Sequence, residues 1–311
     1  MRNFIILLGL VIVTNRLMAQ STDTAKQTTS VDSLFNSMNA DNPKQNIPVF
    51  SSSRLILSQT TETVKKNNLN FLVLHHFGDL AGSAGGGKTF FGLDAIADVY
   101  IGFEYGLTND LNIDLGRSTI PLTGGLAQLG LKYAILHQTS DGSSPLAITV
   151  LGTTGVQMYN SFPSFGDRLA YFGQAIFARK FSHALSLQVA PSIIQENLPI
   201  PNEPGNEQTF FSLTASAQIK VSKIMSLVFD YAHPFSSYRN AHGFSDPAGL
   251  GFQVVTGGHV FTINITNARA VSEINYLSNT TSDFSQGQFR LGFTISRMFD
   301  FNHKEHYQPK R

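Results

Sequence analysis

The segment at 287–299, GQFRLGFTISRMF, changes character at every residue. Phe289, Leu291, Phe293 and Ile295 fall on one side of an extended chain, and Arg290, Gly292, Thr294 and Ser296 fall on the other. A period of two means a strand that is greasy on one face and polar on the other. The same alternation recurs upstream. Val99, Ile101, Phe103 and Tyr105 oppose Asp98, Gly102 and Glu104, and Leu111, Ile113 and Leu115 oppose Asn112 and Asp114. Leu129, Leu131, Tyr133 and Ile135 oppose Gln128 and Lys132, while Phe261, Ile263 and Ile265 oppose Thr262, Asn264 and Thr266.

From Leu69 onward the sequence predicts about twelve such strands, each near the ~9–11 residues that cross a bilayer at a tilt. They are expected at 69–78, 94–106, 110–118, 126–138, 145–158, 168–181, 183–195, 208–222, 225–235, 248–257, 260–268 and 287–299. Their connections alternate between long and short. The stretches 79–93, 159–167, 196–207, 236–247 and 269–286 are long, whereas 107–109, Ser182, 223–224 and 258–259 are short. Outer-membrane barrels sort their loops in this way, with short turns on the periplasmic side and an even strand number. A soluble sandwich has no reason to. The expected fold is all-β, a closed antiparallel up-and-down transmembrane barrel with both termini periplasmic. The long stretch 269–286 is expected outside, as an extracellular loop.

Composition agrees. Charged residues make up 14% of 311, against roughly 25% in an average soluble domain. The net charge of +1 argues against a nucleic-acid partner. Arg2, the apolar run Phe4 to Val13 and the small residue Ala19 make residues 1–19 read as a secretory signal peptide. The chain has no Cys, so neither a disulfide framework nor a lipid anchor on a cysteine is available. Residues 20–50 are expected to form a flexible periplasmic leader, 51–301 the barrel domain, and 302–311 a polar tail.

Two motifs invite a chemical reading. Residues 82–89, GSAGGGKT, match the phosphate-loop pattern, with Lys88 and Thr89 in the positions that would meet phosphate and Mg²⁺. That chemistry needs a helix whose N-terminus faces the anion. The next residues are instead Phe-Phe-Gly-Leu-Asp and then a strand pattern, so a surface loop is expected and no nucleotide. His75 and His76 are strand neighbours that point to opposite faces, which prevents them from closing on one metal ion. The sequence contains no G-x-S-x-G elbow and no H-E-x-x-H. No catalytic residue, metal ligand or cofactor is therefore expected.

Four stretches together resemble one family. They are RLILSQTTETVKKNNLNFLVLHHFG (54–78), FFGLDAIADVYIGFEYGLTNDLNIDLGRS (90–118), LKYAIL (131–136) and TNARAVSEINYLSNTTSDFSQGQFRLGFTISRMF (266–299). The set resembles the uncharacterised β-barrel family of Bacteroidota catalogued as domain of unknown function 5777, over roughly residues 50–300. The resemblance implies a membrane-associated barrel of unknown activity and brings no accepted site residues. The sequence departs from the family at His76, where Arg is expected, and in its Gly-rich 80–89 loop.

A lipid-facing Arg or Lys at mid-bilayer costs about 2–4 kcal/mol, and an Asp or Glu there is unfavourable too. Glu104, Asp114, Lys132, Asp230 and Arg290 are therefore the expected lumen-lining residues. With both charge signs inside, the leading expectation is an outer-membrane barrel that is not an enzyme: a narrow pore for small solutes, or a structural partner of an envelope complex. Its partners would be outer-membrane lipid and a periplasmic or surface protein. A lipid or ester hydrolase, with Ser and His near a rim, is one alternative. A soluble periplasmic β-protein that binds an apolar ligand is another.

Overall fold

Twelve strands form where the sequence alternates, and each pairs with its neighbours in the chain. The structure, a computed structural model, describes residues 44–119 and 125–301. The expected signal peptide, the leader up to residue 43 and the tail from 302 lie outside the described residues.

The strands are β1 (Asn68–Phe77), β2 (Ile96–Gly106), β3 (Leu111–Ser118), β4 (Leu126–Leu136), β5 (Ala147–Gln157) and β6 (Leu169–Lys180). They continue as β7 (Leu185–Glu196), β8 (Thr209–Lys220), β9 (Met225–Phe235), β10 (Ala248–Thr256), β11 (His259–Thr266) and β12 (Arg290–Asp300). All pairings are antiparallel, and β1 closes on β12 with Leu72 opposite Ser296. Closure leaves no sheet edge, which is what a strand-built span needs in lipid. The β6–β7 register skips Ala175 and Ile176 opposite Ala190 and Pro191. Proline has no N–H to give the ladder.

Burial along each strand follows the expected register. In β12 Arg290, Gly292, Thr294 and Ser296 are buried, while Leu291 and Phe293 are half-buried and Ile295 exposed. Outside, Ile101, Leu129, Leu131, Ile193, Phe229 and Ile263 belong to a broad apolar surface. Inside, Gln128, Thr149, Gln188, Gln218 and Gln253 are buried. Polar-in and apolar-out is the reverse of a water-soluble domain and the arrangement of a membrane barrel. No helix among the described residues is long and apolar enough to cross a membrane.

One mouth of the barrel carries the short turns, including 181–184 and 221–224, and the other carries the long loops. Two short helices lie on the long-loop side, α1 (Ser237–Ala241) and α2 (Glu273–Asn279). Ser236 caps α1 by accepting the Arg239 N–H at 3.2 Å.

The interior is not empty. The stretch before β1, which the alternation left unassigned, lies inside the barrel. Ile47 and Gln45 bond the β4–β5 turn at Gln138 and Ser140, so the chain enters from the short-turn mouth. It reverses in a tight hairpin, where the Leu55 N–H reaches the Ser58 carbonyl at 3.0 Å and the Thr60 N–H reaches the Ser53 carbonyl at 2.9 Å. It then leaves by the same mouth, where Thr63 bonds Asn109 and Asn67 bonds Gly106. Val49 and Phe50 are buried, so the interior segment begins before residue 51, the expected start of the barrel domain.

The first part of the stretch 269–286, up to Thr280, also differs from the expected outside loop, whereas Phe284, Ser285 and Gln286 are exposed. Ala270, Ile274, Tyr276 and Leu277 are buried against Leu55, Ile56 and Leu57 in one apolar cluster within the barrel, and Val271 packs in a second with Leu72 and Leu74 of β1. The physical reason is in the loop's own sequence, AVSEINYL, which carries too much apolar surface to leave in water.

Candidate functional site: a filled lumen

The hairpin, called here the finger, meets the wall mainly through its backbone. Asp230 on β9 is the central anchor. Its Oδ2 accepts three consecutive N–H groups, from Ile56 at 2.9 Å, Leu57 at 2.7 Å and Ser58 at 3.2 Å, and its Oδ1 accepts the Ser58 hydroxyl at 2.7 Å. Consecutive N–H groups aimed at one carboxylate form an anion nest. Asp230 is the group that fills it.

Other wall side chains hold backbone carbonyls of the finger. Ser186 donates to Val49 at 2.5 Å, Thr149 to Thr61 at 3.1 Å, Gln188 to Gln59 at 2.8 Å and Lys132 to Ser53 at 3.3 Å. On the β2 side, Glu104 accepts the Ser53 hydroxyl at 2.7 Å and the Asn70 amide at 2.9 Å. The Glu62 carboxylate accepts the Val49 and Phe50 N–H groups and so ties the finger's two arms together. Burial there pushes its carboxyl above the usual range, opposed by those two bonds.

Arg54 projects from the tip across the lumen. Its guanidinium meets Glu273 at the start of α2 at 2.5 Å and donates to the Leu57 carbonyl at 2.9 Å. Both partners of the pair are buried, so it joins the finger to the inward loop in the middle of the barrel. Beside it the Tyr100 ring lies flat on the wall, with its centroid 6.0 Å from the guanidinium carbon. Only glycine fits beneath that ring, because a Cβ at Gly116 or Gly102 would collide with it.

All five expected lumen residues face inward, in three different settings. Asp230, Glu104 and Lys132 hold the finger. Asp114 stands directly opposite Glu104 in the β2–β3 register, and its Oδ1 has no partner. Arg290 is at the long-loop mouth, bonded to Asp79, the Asn267 carbonyl and Ser282, so it fastens a loop and does not line open space.

Strand alternation could find none of Arg54, Ser53, Glu62 and Glu273, because they lie on segments without a period. The signal present was compositional: Leu55-Ile56-Leu57 is an apolar knot in a polar stretch, and such a knot must be buried somewhere. His76 is a buried inward residue whose ring bonds the Arg269 carbonyl at 3.3 Å. His75 on the other face stacks on Phe77. The 82–89 segment forms a single turn at Gly87–Thr89, followed by left-handed Phe90 and Phe91, so no helix opens there. Lys88 is exposed.

Among solved structures, the fold is similar to a NanC porin (9% identity, 74% of this chain and 98% of that one, TM-score 0.46). It is similar also to a KdgM porin (6% identity, 75% and 99%, TM-score 0.44). A third is an outer-membrane channel of Pseudomonas putida F1 (10% identity, 77% and 98%, TM-score 0.44). At such identities the likeness is one of barrel architecture alone. Comparison with curated protein sequences gave no match. A family model described as a membrane bound beta barrel domain (DUF5777) matches residues 50–299, and the chain belongs to that family.

Proposed function

We propose that the chain is an outer-membrane conduit for small polar solutes whose closed state has the finger docked in the lumen. One observation carries this reading: every strand of the wall turns buried polar side chains inward, from Asn70 on β1 to Ser296 on β12, among apolar ones such as Ile176 and Val228. A core that stays dry has no use for such a wall, since each buried polar group without a partner costs free energy. Here both amide atoms of Asn112 and of Asn264, and the Thr214 hydroxyl, face inward and lack a partner. Water in an emptied lumen would satisfy them. The outer-membrane placement rests on the expected export signal together with the apolar exterior. Lipid is then the partner of that exterior, and a periplasmic protein acting at the short-turn mouth is the partner that would draw the finger out.

Recording from planar bilayers tests the conduit. The full chain is expected to give brief, rare openings, and a variant lacking residues 51–61 sustained discrete conductance. Silence from both would sink the proposal and leave a structural role. No specific observation favours the hydrolase reading or the apolar-ligand reading.

A further inference from the structure

We infer that the open barrel passes cations in preference to anions, and that its cargo class is inorganic and small organic cations. The inference rests on the conduit reading above, with the finger as the moving part. Its basis is the distribution of charge between finger and wall. With the finger docked, its own donors answer the acidic groups at mid-barrel. Asp230 takes three of the finger's N–H groups and a hydroxyl, Glu104 takes the Ser53 hydroxyl, and Glu273 takes the Arg54 guanidinium. The docked finger occupies the place that a cationic solute would take.

Asp114 strengthens the case independently. It faces Glu104 across adjacent strands, and like charges directly opposite each other destabilise a sheet unless a cation lies between or beside them. The nearest wall cation, Lys132, gives its ammonium hydrogen bonds to the finger, at the Ser53 carbonyl (3.3 Å) and the Gln59 side chain (3.4 Å). The acidic pair thus stands beside the proposed path with the Asp114 Oδ1 unpartnered.

Removing the finger removes Arg54 and every donor just named on it. The uncovered middle then holds Glu104, Asp114, Asp230 and Glu273 against Lys132. Acidic groups lining a passage select cations, because low-dielectric walls focus their field on the ions inside. Other cations stand at the mouths, among them Arg239, which donates to the Ser278 and Ser245 carbonyls on the long-loop side. Lys180 and Lys220 end β6 and β8 at the short-turn rim, half-exposed, where salt screens them. Arg290 is engaged by Asp79 at the other mouth.

The test is the reversal potential of the variant lacking 51–61 under a KCl gradient. The expected sign is that of K⁺ permeating several-fold better than Cl⁻. Adding Asp114→Asn and Asp230→Asn to that variant should move the reversal potential toward zero. Conductance with a Cl⁻ preference, or with a preference unmoved by those substitutions, would overturn the inference and leave the conduit standing. No conductance at all would overturn the conduit and the inference with it. If the deletion fails to assemble, the full-length Ile56→Asn chain, whose buried amide expels the finger and leaves every wall acid in place, carries the same gradient test, with Asp114→Asn and Asp230→Asn added to it in turn.

Discussion

The lumen is filled from both mouths, and the two inserts are held in different places. The finger is gripped at its backbone by side chains of the wall, with Asp230 taking three N–H groups in a row. The inward loop is instead fastened to its neighbours at the long-loop mouth. Arg290 ties it to the β1–β2 loop through Asp79, Arg239 bonds the Ser278 carbonyl at 2.6 Å, and Asp98 accepts the Val271 N–H at 3.0 Å. The loop is also covalently continuous with β11 and β12 at both ends, and it leaves the lumen only if these fastenings at the mouth break. Among the described residues the finger joins a strand, β1, at one end only, and withdrawing it disturbs no pairing of the twelve strands. That difference marks the finger as the moving part and the loop as the fixed one.

Arg290→Ala should have the largest effect on this contrast. It breaks a buried ion pair and leaves the Asn267 carbonyl without its donor, at a cost of about 3–5 kcal/mol. Proteolysis should then cut within 269–286. A loop that stays protected would mean that the mouth is not what fixes it.

Asp230→Ala comes next. It strands three N–H groups, while the Ser58 hydroxyl keeps Ser216, for about 3 kcal/mol, or somewhat more than a hundredfold in the docked-to-undocked ratio. Amide exchange should quicken at Ile56, Leu57 and Ser58 and stay slow in α2. Equal quickening in both would show that the inserts move as one body.

Gly116→Ala is expected to cost about 2 kcal/mol, because the new methyl group displaces the Tyr100 ring from beneath Arg54. A double-mutant cycle with Arg54→Ala should show coupling. Strict additivity would mean that the ring does not support the tip.

Lys88→Ala closes the series. The side chain is exposed in a surface turn, so the change in stability should stay within about 0.5 kcal/mol. Lost function in that variant would reopen the phosphate-loop motif.

The architecture was legible because strand alternation is local: each residue of 287–299 declares its face without reference to the rest of the chain. Loop lengths added the direction of each crossing. The inward orientation of Asp230 or Lys132 follows from the same rule, since neither charge can sit in lipid. The contents of the lumen were not legible in this way. Finger and loop have no period, and their burial depends on a barrel formed by strands far along the chain: Ile56 finds its partner 174 residues away. Residues 269–286 have the length of an outside loop, and only their apolar content, Val271, Ile274 and Leu277, hints at where they go. A barrel sequence thus announces its wall, whereas the filling must be worked out from which leftover apolar segments need a place.

The central claim is that the finger gates the barrel, and a reversible tether tests it most directly. Ser58 on the finger and Ser216 on β8 bring their hydroxyl oxygens to 2.9 Å, and the chain has no native cysteine to confuse a Ser58→Cys, Ser216→Cys pair. Single-channel recording of that variant should show openings under reducing conditions, none after oxidation, and their return with reductant. Openings of unchanged size and frequency in the oxidised, cross-linked protein would contradict the account.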